Sequence, residues 1–356
     1  PPYDVLSDLD RLALATAHAN NIVHIDMPLA SSGNAYEHAA VVLIQWITEG
    51  VLVRDDQPSF TLYRMKFTDT TGKARNVVGV IGALEVVDEG AGGVLPHERT
   101  TPKAKTDRLE LTRATDANLS PVWGLSLATG LSTLLTEPAE LLGELTDDLG
   151  VVHSVERVTD DAHIAAISAA IAAHPVVIAD GHHRYAISRT YRDEVRERTN
   201  STSTGAELTM TYVNELIDEQ LSVAAIHRLY EGITYKELAA ALSPFFTIND
   251  ADPVGPSTLS QMNERGSLCL VAKTGRTHWL TPIAEKFTGV RNLDSAYLEH
   301  ALSNVQHEVR YQHGVTEVQH ELQTSDATAA ILIRPVSVAE IQRTANEGLL
   351  MPPKST

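Results

Sequence analysis

Apolar positions along the chain alternate between short β-branched runs and stretches of helical spacing, the pattern of an α/β protein with mixed sheets. Ser7 or Asp8 can cap a first helix that runs through His18. Residues 34–50 form an amphipathic helix with Ala39, Leu43, Trp46 and Ile47 on one face and Gly50 as its stop. Strands are expected over 51–54, 60–67 and 77–87, the last two joined by a turn at Thr71-Gly72, with a flexible loop over 90–93. A helix capped by Thr106 or Asp107 runs to Asn118, strands follow at 122–128 and 152–158, and an alanine-rich helix covers 163–174. The final third predicts a helix at 235–242, a proline-containing connection over 243–256 and a hairpin of 268–273 with 277–280. A helix at 293–302, a strand at 330–334 and a helix at 338–347 complete it. The expected division is a main α/β domain over 1–230 and a C-terminal α/β domain over 231–356.

One stretch departs from plain patterning: Pro175-Val176-Val177-Ile178-Ala179-Asp180-Gly181-His182-His183-Arg184-Tyr185. A buried-type strand ends in Asp-Gly, and Arg184 to Arg198 reads as a polar helix. Gly181 falls where the backbone must bend or approach a ligand closely. The amides that follow sit at the positive end of a helix, an anion site in which His182, His183 and Arg184 are further donors. Asp180, at the strand's end, can hold a metal, orient a histidine or accept a proton. A second dense cluster is Leu95-Pro96-His97-Glu98-Arg99-Thr100-Thr101-Pro102-Lys103-Ala104-Lys105-Thr106-Asp107-Arg108, whose prolines make it a loop. Arg99, Lys105 and Arg108 suit phosphate or carboxylate oxygens, and Glu98 beside His97 offers a proton acceptor or metal ligand. Strands at 208–213 and 221–230 follow the polar helix, and the second carries His227.

Composition narrows the classes. With 28 basic against 46 acidic residues and a net charge of −18, the chain is no general nucleic-acid binder. The single cysteine, Cys269, excludes an intramolecular disulfide framework and a multi-cysteine zinc site. No apolar run is long enough for a membrane span and no signal peptide is visible, so the expected location is cytoplasmic. The start at Pro1-Pro2-Tyr3 without methionine predicts a preceding segment, and Met351-Pro352-Pro353-Lys354-Ser355-Thr356 stops too abruptly for a natural tail. The GxGxxG and GxxxxGK[ST] nucleotide signatures are both absent.

The motifs Pro1-Pro2-Tyr3-Asp4-Val5, Leu95-Pro96-His97-Glu98-Arg99-Thr100, Lys105-Thr106-Asp107-Arg108, Asn118-Leu119-Ser120-Pro121, Asp180-Gly181-His182-His183-Arg184-Tyr185, Arg334-Pro335 and Met351–Thr356 occur in an order that resembles a widespread prokaryotic family of unknown function, DUF1015. Tyr185-Ala186-Ile187-Ser188 departs from that family's usual Tyr-Glu-Thr-Ala, so no role is carried to position 186. More distantly, the Asp-Gly-His-His-Arg turn is similar to the ParB/sulfiredoxin-like superfamily, which includes nucleotide-dependent kinases of free serine. That resemblance implies a phosphate-binding strand–turn–helix core with an additional C-terminal α/β unit. It implies that Gly181, His182, His183 and Arg184, with Arg99, Thr100, Lys105 and Arg108, hold nucleotide phosphates. Asp180, Glu98 and His182 would be catalytic, and Asp180 with Glu98 would take Mg²⁺. His97, Tyr185, Tyr3, Asp4 and His227 would line the substrate. The expected activity is an ATP- or ADP-dependent phosphotransferase acting on a small hydroxylated metabolite, such as free serine. The alternatives are a nucleotide- or metabolite-gated binding protein without turnover and a metal-dependent phosphohydrolase. The adjacent His182 and His183 cannot both face one metal from an extended segment. The expected partners are nucleotide and small molecule, with a homodimer one admissible assembly.

Overall fold

The computed structural model describes residues 6–29, 34–69, 72–96, 105–221 and 225–347. The chain divides by its contacts into two units that meet at Leu221. The first contains α1 (Asp8–Ala17), α2 (Val23–Asp26), α3 (Ala35–Thr48), β1 (Phe60–Thr68), β2 (Ala74–Glu85), β3 (Val94–Pro96), α4 (Lys105–Thr115), β4 (Val122–Ser126), α5 (Leu131–Leu134), β5 (Glu140–Thr146), β6 (Val152–Val158), α6 (Asp161–Ala172), β7 (Val176–Asp180), α7 (His182–Thr199) and β8 (Leu208–Glu215). The second contains β9 (Ile226–Glu231), α8 (Tyr235–Leu242), β10 (Phe246–Ala251), α9 (Thr258–Arg265), β11 (Leu268–Ala272), β12 (Thr277–Pro282), α10 (Asp294–Leu302), β13 (Glu308–His313), α11 (Val315–Thr324), β14 (Ala329–Leu332) and α12 (Val338–Asn346). The protein is therefore a mixed α/β protein with two sheets.

The first unit is built on a sheet in the order β3-β7-β4-β8-β2-β1-β6-β5. β7 lies inside it, parallel to β3 and antiparallel to β4. That position explains why Val176, Val177 and Ile178 are all buried: a strand covered on both faces needs apolar side chains without alternation. On one face Leu131, Leu135 and Ile167 from α5 and α6 pack on Leu62, Val78, Val80, Val176 and Val213. Ser7 and Asp10 form a reciprocal capping box on α1, so the expected cap at Ser7 is present. A smaller cluster joins α2, α3 and α4 through Ile25, Ala39, Trp46 and Leu111.

The second unit's sheet, β10-β12-β11-β14-β9-β13, is antiparallel throughout. Alternation along β11 sends Leu268 and Leu270 toward α8 and α10, and Cys269 and Val271 toward Met262 of α9 and Val318 and Leu322 of α11. Helices thus cover both faces. Cys269 is fully interior and burial pushes its thiol up to about 12, the behaviour of a small hydrophobe.

Several expectations change. Residues 51–54 form no strand, because no neighbour pairs with them and Val53 stands 80 % exposed. Ile47, expected on the inner face of α3, is exposed, while Ala39 and Trp46 are buried as expected. The connection over 243–256 contains β10, and β5, β13, α9 and α11 were not anticipated. β5 and β13 are edge strands with little burial, so their sequences carry no strong apolar alternation. The expected boundary at 230 moves to Leu221, because β9 pairs with β13 and β14 in the second sheet. The Thr71 turn and the expectations at 1–5, 97–104 and 351–356 lie outside the described residues.

His227 sits on β9, 2 % exposed, and its Nδ1 accepts the Ile333 N–H at 3.2 Å. Burial first, then the nearby cationic groups of His313 and Arg228, depress its pKa from 6.5 to about 4. The unfolded chain therefore binds a proton that the folded chain refuses between those values, and stability falls as pH drops through that window. The loss attributable to His227 is up to ~3 kcal/mol. In His227→Asn this part of the slope should vanish from urea-unfolding curves recorded between pH 7 and 4. An unchanged slope would place the acid sensitivity elsewhere.

Candidate functional site

β7 leads through Gly181 directly into α7. Gly181 has φ +85°, the left-handed conformation that costs other residues of order 1–2 kcal/mol. A Cβ here would also lie 3.0 Å from the Arg184 guanidinium, which folds back over the turn. α7 starts from a glycine, which supplies no capping side chain, and has no acidic residue in its first turn; His182, His183 and Arg184 occupy it instead. Its first N–H groups precede any intrahelical acceptor, so the positive end of this 18-residue helix is dressed with potential cations.

Arg184 is engaged on two sides. Nη2 donates to Asp180 Oδ2 at 2.5 Å, and Nη1 donates to the carbonyl of Pro121, which precedes β4. The side chain is 20 % exposed and that of Asp180 is 64 % exposed. Arg184 thus ties the helix to the sheet and fixes the Asp180 carboxylate at an open surface. A second cation of the sequence motifs, Arg108 on α4, donates through Nη1 to the Asp26 carbonyl at 2.6 Å and to Asp26 Oδ1 at 3.0 Å. Its Nε meets Asp107 at 3.1 Å, and Asp107 in turn accepts from Tyr36 at 2.7 Å. Burial raises the Asp26 carboxyl, while Arg108 and then Arg184 pull it back down.

Arg108 and Arg184 line one cavity with Asp26, Asn118, Ser188 and Thr209. Its volume, roughly 40 Å³, is room for about one water and far below the ~300 Å³ at which small-molecule pockets begin. It is a chamber behind the turn. A wider cleft of roughly 270 Å³ adjoins it, shares Thr112, Asn118 and Ser188, and is completed by Asp116, Tyr191 and Arg198. Asp26, Asn118, Ser188 and Thr209 were not assigned to the site from sequence. The Asn118-Leu119-Ser120-Pro121 motif was the available signal, and the structure uses it twice: Asn118 accepts from Thr209 at 3.0 Å, and Pro121 accepts from Arg184.

Other expected site residues fall elsewhere. Tyr185, expected on substrate, is 6 % exposed; its hydroxyl donates to the Glu85 carbonyl at 3.1 Å and accepts from the Val87 N–H at 2.9 Å. It is bound into the sheet because that hydroxyl satisfies backbone left over at the end of β2. His227, also expected on substrate, is a core residue of the second unit's sheet. Tyr3, Asp4, His97, Glu98, Arg99 and Thr100 lie outside the described residues, as does the side chain of Lys105. Among the described residues no group of three His, Cys, Asp or Glu could hold a metal ion. No helix among them is long and apolar enough to cross a membrane.

A mixed α/β scaffold presenting a strand–glycine–helix turn with cationic side chains defines the class. The family model described as "Protein of unknown function (DUF1015)" matches residues 1–296, and the chain belongs to that family. Among solved structures it is similar to a conserved hypothetical protein from Pyrococcus furiosus, with 11 % identity, 78 % of this chain and 88 % of that chain covered, and a TM-score of 0.40. It is similar to a free serine kinase in complex with AMP, with 13 % identity, 78 % and 86 % covered, and a TM-score of 0.40. It is also similar to SbnI with C-terminal truncation from Staphylococcus aureus, with 12 % identity, 77 % and 80 % covered, and a TM-score of 0.41. No curated protein matches the chain.

Two substitutions report on the turn. Gly181→Ala should cost about 1–2 kcal/mol from backbone conformation, before any displacement of Arg184. Arg184→Lys cannot span Asp180 and Pro121 together and should cost about 1–2 kcal/mol. Each should lower the melting temperature of the ligand-free protein by several degrees. A ligand-free Arg184→Lys protein as stable as wild type would show that the guanidinium is not holding the helix to the sheet.

Proposed function

We propose that the protein is a nucleotide-dependent phosphotransferase acting on a small hydroxylated metabolite, with the β7–Gly181–α7 turn as its phosphate cradle. The observation that carries this reading is the left-handed Gly181 opening a helix whose first turn holds His182, His183 and Arg184 and no acid. Phosphoryl transfer needs mostly positioning and neutralisation of charge, and such a turn supplies amide donors together with a favourable helix end. The resemblance of Asp180–Tyr185 to the ParB/sulfiredoxin-like turn supports the same assignment.

In this scheme the amides after Gly181 receive the phosphate oxygens, and His182 and His183 add donors beside them. Arg184 holds Asp180 through Oδ2, which leaves Oδ1 on the open side to accept the proton of the acceptor hydroxyl. Arg184 is therefore assigned to positioning Asp180, with direct contact to phosphate secondary. Glu98, Arg99, Thr100 and Lys105 remain the proposed complement from the preceding loop, and Arg108 braces α4 against α2 behind the turn. Mg²⁺ takes one or two carboxylates and keeps waters and phosphate oxygens; with Asp180 Oδ1 acting as the base, Glu98 is the proposed carboxylate for the ion, which when bound would neutralise phosphate charge. ATP or ADP is the proposed nucleotide.

A binding protein without turnover is the second reading, and the Asp180–Arg184 pair favours it, since one oxygen of the proposed base is already engaged. Titration of ADP and ATP with and without Mg²⁺, followed by transfer assays on hydroxylated metabolites, separates the two. His183→Ala should weaken nucleotide binding about tenfold, the equivalent of one charge-assisted hydrogen bond. Asp180→Asn should leave binding within a few-fold and lower transfer by roughly 10²–10⁴. Binding with no transfer or hydrolysis in the wild type selects the second reading, and absence of nucleotide binding removes both.

A further inference from the structure

The Arg334-Pro335 pair lines a cavity inside the second unit. Arg334 follows β14 and is held by Asp294 at the start of α10. Its Nε donates to Asp294 Oδ2 at 3.0 Å, its Nη2 to Oδ1 at 2.5 Å, and its backbone N–H to Oδ2 at 2.8 Å. The Asp294 side chain is 3 % exposed, whereas that of Arg334 is 25 % exposed. A bidentate pair of this kind leaves the guanidinium no freedom of orientation. Nη1 makes no hydrogen bond with another described residue.

The space in front of it measures roughly 230 Å³ and is lined by Asn263, Asn292, Ser337 and Glu340 in addition to the Arg334–Asp294 pair. Asn292 uses Oδ1 to accept from Tyr297 at 2.9 Å, which leaves its Nδ2 as a donor. Glu340 is occupied by Arg291 at 2.6 Å. The donors facing it that have no partner among the described residues are Arg334 Nη1, Asn292 Nδ2 and Asn263 Nδ2. Two carboxylates stand in the wall, Asp294 and Glu340, each already paired with an arginine. A multiply charged anion would meet their repulsion, whereas a single carboxylate needs only the free edge of Arg334 and an amide.

We infer that this cavity of the second unit is a ligand site that takes a small carboxylate-bearing metabolite through Arg334 Nη1. Asp294 is its positioning residue. The volume, below the ~300 Å³ where drug-sized pockets begin, limits the ligand to a few heavy atoms.

The test is titration of the full chain with acetate, glycine and succinate, with acetamide and inorganic phosphate as controls, followed by NMR of the Arg334 Nε–H and asparagine side-chain amides. At least one carboxylate should bind saturably near ~1 mM, the range expected of so few contacts. Acetamide should bind at least tenfold more weakly. Arg334→Lys keeps the charge against Asp294 but cannot also present a donor edge, and should weaken binding at least tenfold. Asn263→Phe, at an exposed position of α9, should occlude the cavity without touching the ion pair, and it decides the matter if Arg334→Lys does not fold. The proposal falls if no carboxylate binds, if phosphate binds and carboxylates do not, if acetamide binds equally well, or if Asn263→Phe leaves the affinity unchanged.

Discussion

The first unit depends on how β7 turns into α7. The strand is enclosed by β3 and β4, so the chain must leave the sheet abruptly at Asp180, and only a left-handed residue starts the helix at once. Everything along α7 then fixes its direction. Arg184 reaches Pro121 and Asp180, Tyr185 closes the end of β2, and Arg113 of α4 meets Glu194 at 2.9 Å. Arg192, 2 % exposed, donates to Asp88 at 2.5 Å and to Asp193 at 2.7 Å. A buried guanidinium left without these acceptors would cost several kcal/mol, so the helix has little freedom to pivot.

The arginines also change how an acidic protein can meet an anion. Arginines mark three of the sequence motifs, yet folding pairs them: Arg108 with Asp26, Arg184 with Asp180, Arg334 with Asp294. The same holds for Arg64 with Glu156 and Arg75 with Asp69. Each pair neutralises charge that a count of basic residues would credit to ligand binding. In the two proposed sites recognition of an anion is directional: backbone amides after Gly181, and a guanidinium edge that a carboxylate partner orients. This favours small, well-placed ligands over extended polyanions, in keeping with the net charge of −18.

The two units solve the same packing problem differently. The first mixes parallel and antiparallel strands, and its β7, second from one edge, delivers the Gly181 turn at a strand end. The second is an antiparallel sheet between two helix layers, with the Arg334–Asp294 pair where β14 ends and α10 begins. In both, a cation just after a strand is held by a carboxylate, and a cavity opens beside it.

Legible along the chain were the strand–Gly181–helix turn, the capped α1, the β11–β12 hairpin and the mixed α/β class, because each rests on local periodicity or on a residue with one conformational use. The sequence marked Asp180, Arg108 and Arg184 as special. It could not say what they touch. Only the tertiary structure decided that Arg184 turns inward to Pro121, 63 residues away in sequence, that Tyr185 serves the sheet, and that His227 belongs to the core of another unit. It also decided that 51–54 stays unpaired while the weakly patterned β5 and β13 find partners. Strand pairing and ion pairing are set by groups distant along the chain, whereas periodicity reports only on near neighbours.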